Sequence, residues 1–153
     1  MPPLSRNAKV VVSLVTSVSL GAGVLLSTEP EFRQWAVPPC DPQSPPSEVQ
    51  IAWVPPERPL DPNRYDCLIY PDREPLWQPR GPRLHVAVVG TGQDRLPREQ
   101  VRRLLAVLGG LRRIGLDLSA FELEPESDVR LHPDLPPQAH DLCALLTRKG
   151  IVR

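Results

Sequence analysis

The chain has 153 residues with 18 basic and 18 acidic side chains, a formal net charge of zero. That length allows about one domain of ordinary size, and the charge balance excludes a nucleic-acid binder working by bulk electrostatic attraction. Three Cys with no Cys-x-x-Cys pair exclude a disulfide-dense scaffold and a standard zinc finger, and 21 Pro exclude a packed core running through the whole chain.

Residues 1–27 begin with two bases, Arg6 and Lys9, and continue into VVVSLVTSVSLGAGVLLST, 19 residues without charge. A helix of that length spans about 28 Å, close to the roughly 30 Å hydrocarbon core of a bilayer. This predicts a single membrane-spanning helix. Ser13, Ser17 and Gly21 recur every four positions, the small-xxx-small spacing that lets membrane helices approach closely. They are the expected helix-packing residues. The bases before the run and Glu29 and Glu31 after it favour the N-terminus on the positive-inside face. A basic start with an apolar run is also the pattern of a cleaved secretory signal, though no clean Ala-x-Ala site follows it. A buried soluble helix is the third reading.

Residues 28–82 hold 14 of the 21 Pro, with nine acids against five bases. Proline removes a donor and biases the preceding residue toward extended backbone, so the expectation is an extended, Pro-rich strap. All three Trp and both Tyr fall in it. Aromatics set along an extended segment pack on something, the protein itself or a partner. Trp35, Trp53, Tyr65, Tyr70 and Trp77 are therefore the candidate partner-binding residues, since large aromatics dominate interface energetics. EVQIAWV and YDCLIY each also fit a short strand.

Residues 83–153 read as a small α/β domain of order β-α-β-α. LHVAVV (84–89) is a buried-type strand ending at Gly90. Val101, Leu104, Leu105, Leu108 and Leu111 give one apolar face to a helix over 98–114, opened by Pro97 and closed by Gly115. LDLSAFELE alternates as a strand with one wet face, and QAHDLCALLTRK forms a second helix stopped by Gly150. IVR fits a last short strand. The order suggests a small parallel sheet covered by helices.

The chain carries no strong catalytic motif. VVGTGQDR lies where a nucleotide loop would sit, but Arg95 replaces the third Gly of a dinucleotide fingerprint, and no Lys-Ser/Thr pair follows. A plain strand-to-helix turn is the simpler reading. His140 and Cys143 are three apart on a helix, with His132 and Cys67 as further candidates, yet a metal site needs three or four convergent ligands. Cys143 reads as core, and Cys40 and Cys67 would bridge only in an oxidising compartment. Glu122, Glu124, Glu126 and Asp128 read as a solvated edge. Arg98, Arg102, Arg103, Arg112 and Arg113 form a basic ridge on the first helix, suited to lipid headgroups, RNA or an acidic partner. No catalytic residue, cofactor, metal or small-molecule substrate is expected.

Two segments resemble known families. SRNAKVVVSLVTSVSLGAGVLL followed by PEFRQW (30–35) resembles the start of a family of small mitochondrial cytochrome oxidase assembly proteins, although a Pro-rich stretch stands where that family has a charged helix. LHVAVVGTGQDRL (84–96), LRRIGLDLSAFE (111–122) and AHDLCALLTRKGIV (139–152) resemble the core of a mitochondrial complex I assembly factor family, with a longer loop over 123–137. The resemblances imply a non-catalytic, single-pass protein of the mitochondrial inner membrane, an accessory subunit or assembly factor of a respiratory-chain complex. The alternative is a small secreted or periplasmic binding domain whose signal is removed.

Overall fold

The computed structural model describes residues 38–39 and 45–152. The uncharged run with Ser13, Ser17 and Gly21, and also Trp35 and Cys40, lie outside the described residues. Among the described residues no helix is long and apolar enough to cross a membrane.

The described chain forms one five-stranded sheet and two helices. Its elements are β1 (Glu48–Val54), β2 (Cys67–Ile69), β3 (Leu76–Trp77), β4 (Arg83–Val89), α1 (Arg98–Arg113), β5 (Phe121–Leu123) and α2 (Pro137–Arg148), with 3-10 turns at Pro62–Arg64, Leu118–Ala120 and Pro125–Ser127. Sheet order is β3-β2-β4-β1-β5. Every pairing is parallel except that of β3 with β2.

The reading of residues 28–82 as a strap, separate from a domain starting at 83, gives way here. β1 pairs with β4 along its full length, from Glu48↔Arg83 to Val54↔Val89, and with β5 at Val49↔Phe121. β2 pairs with the other edge of β4. The described prolines lie outside the hydrogen-bonded strands, where a missing N–H leaves no gap in a ladder. Both sequence segments flagged as possible strands are strands; β3 was not foreseen, because a two-residue antiparallel pair leaves no period to read.

Alternation decides the two faces of the sheet. Val49, Ile51 and Trp53 of β1, Cys67 and Ile69 of β2, Leu84, Val86 and Val88 of β4 and Phe121 of β5 join the buried cluster that includes Leu104, Val107, Leu108 and Leu111 of α1 and Leu142, Leu145 and Leu146 of α2. Both helices therefore cover this face. On the other face Ala52, Val54, Leu68 and Ala87 pack with Tyr65, Leu60 and Tyr70, which belong to the β1–β2 connection and the end of β2. The small side chains Ala52 and Ala87, paired in register, leave room for the Tyr65 ring.

Two further expectations change. Only Phe121–Leu123 of LDLSAFELE is a strand: the Asp117 carboxylate accepts from the Leu118 N–H at 2.6 Å and starts a 3-10 turn instead. IVR forms no strand. Gly150 takes φ +65, the Ile151 N–H returns to the Leu146 carbonyl at 2.9 Å, and Ile151 and Val152 are buried in the core.

Candidate functional site

A cleft of about 470 Å3 opens beside the carboxyl ends of β1 and β5, lined by residues of the β1–β2 connection, the turn after β5 and the 131–135 loop. That volume is within the usual range for a ligand pocket, about 300–1,000 Å3. In open α/β sheets the carboxyl ends of the strands are the preferred place for one. Chain direction explains the opening. The connection from β1 crosses the face bearing Tyr65, whereas the chain after β5 runs on to α2, which packs on the opposite face.

The cleft wall is built on Trp53 and Tyr65, with Pro55, Leu131, Pro133 and Leu135 around them. Trp53 is only 6% exposed. Its backbone is clamped by Ser127, whose Oγ accepts from the Trp53 N–H at 2.9 Å and lies 3.3 Å from the Trp53 carbonyl, to which it donates. Yet the indole Nε1–H has no hydrogen-bond partner. A buried donor left unpaired is unfavourable, and few native groups are left so. Ser127 is fully engaged with backbone, which leaves no free hydroxyl for nucleophilic work.

Charged groups line the cleft. Arg64 pairs with Glu124 at 3.0 Å and with Glu126 at 3.7 Å, and Arg58 pairs with Glu126 at 3.7 Å. These pairs tie the β1–β2 connection to the turn after β5. The nearby Tyr65 ring and Glu124 hold the Arg64 guanidinium above its usual range, and burial pushes the Tyr65 phenol up as well. The 131–135 loop is held from its base. The Asp128 carboxylate accepts from the Arg130 backbone N–H at 2.9 Å and from its guanidinium at 2.8 Å, and these bonds hold the Asp128 carboxyl below the usual carboxylate range. The Asp128 carbonyl accepts from the N–H groups of Leu131 and His132.

The expected partner-binding aromatics therefore divide. Trp53 and Tyr65 come together, but as buried wall of the cleft and core of the two sheet faces rather than as projecting contacts. Hydrophobic burial of β1 and of the β1–β2 connection against the sheet causes this. Trp77 and Tyr70 are half-buried away from the cleft, with Arg73 stacked 3.8 Å over the Tyr70 ring. The cleft residues missed from sequence are Ser127 and the 131–135 loop. Their signal was a long Pro-rich segment in an otherwise tight α/β order, which often marks a functional loop.

The GTG turn is occupied internally. The Thr91 N–H donates to Gln138 Oε1 at 3.0 Å, Gln138 Nε2 donates to Thr91 Oγ1 at 2.6 Å and to the Arg95 carbonyl at 3.0 Å, and Asp141 accepts from the Leu96 N–H at 2.9 Å. These α2 side chains take up the Thr91 and Leu96 amide donors of the turn. Gly90 is required by close approach: a Cβ there would lie 2.9 Å from Pro56 Cδ and from the Val54 carbonyl oxygen. Gly92 is required by its φ of +73. Among the described residues no group of three or more His, Cys, Asp or Glu converges as for a metal. Cys143 is buried, and the His140 ring lies 3.2 Å from the Pro133 carbonyl. Cys67 is a free, buried thiol, pushed well up by burial.

Comparison with protein-family models, curated proteins and solved structures finds no match for this chain.

Proposed function

We propose that this chain is a membrane-tethered, non-catalytic protein that works through protein–protein contacts. The cleft carries the binding part of this reading: an aromatic wall at the carboxyl ends of parallel strands, with Leu131 exposed at its side. An extended segment of a partner protein supplies what the cleft lacks, apolar contact with its wall. The uncharged 19-residue run supports the tether. The resemblance of residues 5–35 and 84–152 to assembly-factor families supports a role as accessory subunit or assembly factor of a respiratory-chain complex at the mitochondrial inner membrane.

The test is purification of the tagged full chain in mild detergent, followed by a native gel and mass spectrometry of what comigrates. An intact N-terminus in a large complex of respiratory subunits is the expected result. Leu131→Ser removes an exposed apolar side chain from the cleft wall and leaves the buried core in place. Lost burial of one such side chain, about 1.5 kcal/mol, predicts roughly tenfold weaker retention of the partner. A small soluble species beginning near residue 28 would replace the tethered reading with that of a secreted domain. Unchanged retention in Leu131→Ser would remove the cleft from the interface.

A further inference from the structure

The zero net charge of the chain conceals a segregation of charge across the fold. On α1 the side chains of Gln100, Leu104, Val107, Leu108 and Leu111 are buried toward the sheet. At 3.6 residues per turn, Arg98, Arg102, Arg112 and Arg113 fall on the side opposite that face, within about 100° of arc and over roughly 22 Å of helix. All four are exposed. Arg103 does not belong to this row, because it turns aside to donate to the Pro71 carbonyl at 2.6 Å. Within the row Arg102 pairs with Glu99 at 3.2 Å. Acids gather instead in and after β5, where Glu122, Glu124, Glu126, Asp128 and Asp134 follow one another within 13 positions.

Between the arginines the outward positions are Ala106 and Gly109, neither of them charged, while Leu105 packs against the core. Gly109 opens onto free space: a Cβ there would meet nothing within 4 Å. The result is a straight, low row of guanidinium groups able to meet a plane of phosphates at several points. Guanidinium matches phosphate geometry in a fork. No aromatic residue lies on this outward face of α1 to stack nucleic-acid bases.

We propose that the outer face of α1 rests on an anionic lipid surface, with Arg98, Arg102 and Arg112 against the headgroup phosphates. This inference rests on the tethered reading for the nearness of a membrane. It adds that the folded domain lies with α1 along the bilayer rather than hanging free of it.

The experiment uses the full chain carrying Cys40→Ser and Gly109→Cys, labelled at position 109 with an environment-sensitive fluorophore; Cys67 and Cys143 are shielded by burial. It is reconstituted with vesicles of phosphatidylcholine alone, or with about 30 mol % phosphatidylserine. The label should shift only with the anionic lipid, and the shift should shrink as salt is raised, because the Debye length falls from about 10 Å at 0.1 M to about 3 Å at 1 M. Each arginine near such a surface contributes about fivefold. The triple change Arg98→Gln, Arg102→Gln and Arg112→Gln should therefore weaken the contact about 100-fold. Gln has similar helix propensity, so far-UV circular dichroism should stay unchanged. A chain that floats with both kinds of vesicle while the label ignores phosphatidylserine overturns the proposal. A chain that floats only with the phosphatidylserine vesicles overturns the tether and keeps the lipid face, and one that floats with neither overturns both. A response to polyglutamate but not to phosphatidylserine assigns the ridge to an acidic protein and overturns it too.

Discussion

The indole of Trp53 separates two effects that a single truncation would merge. The ring fills the helix-side core at the end of β1, while its N–H has no acceptor. Trp53→Ala should cost about 3–5 kcal/mol, the usual range for deleting a large buried aromatic, and urea unfolding would show it. Trp53→Phe leaves most of the packing and removes a donor that has no partner in the fold, so its cost should be clearly smaller. Equal losses in the two variants would mean that the N–H is satisfied in solution. From the sequence, Trp53 was legible as a significant aromatic. Its place inside the sheet was not, because the prolines on both sides of EVQIAWV argued for an extended strap lying over the domain or a partner. Proline governs the local backbone and says nothing about which neighbour a strand will find across the sheet.

The turn from β4 into α1 is fixed by an element far along the chain. Gln138, in the first turn of α2, is buried and spans Thr91 and Arg95, while Asp141 one turn later takes the Leu96 N–H. Gln138→Ala would leave the Thr91 N–H and the Arg95 carbonyl without these partners. The cost should be about 1–3 kcal/mol, as for other buried polar groups left unsatisfied. Amide hydrogen exchange should locate it, with faster exchange over residues 91–96 and little change in the strands. Uniform acceleration along the chain would show instead that α2 and the turn open only with global unfolding. The helices themselves were readable to within a residue or two, because a 3.6-residue apolar period and a terminal Gly are local signals. The Gln138 clamp was not readable. Its partner is 47 positions away, and a Gln in a first helical turn looks the same whether it faces solvent or a loop.

At the level of the whole molecule, the position of β1 decides what can fold. The residues from 83 onward contain β4, α1, β5 and α2, an order that looks self-sufficient as β-α-β-α. In the sheet, however, β4 and β5 do not touch: β1 lies between them and pairs with both. A fragment of residues 83–153 would leave Val86, Val88 and Phe121 without their central neighbour and both strands with unpaired edges. Such edges favour association with other chains. The fragment should show no cooperative unfolding transition and should aggregate. One beginning at residue 45 keeps all five strands and should unfold in a single sigmoidal step followed by circular dichroism. A cooperative transition in the shorter fragment would mean that β4 and β5 can close directly on one another. The sheet would then have two competing arrangements, and β1 would be an inserted strand rather than its organising centre.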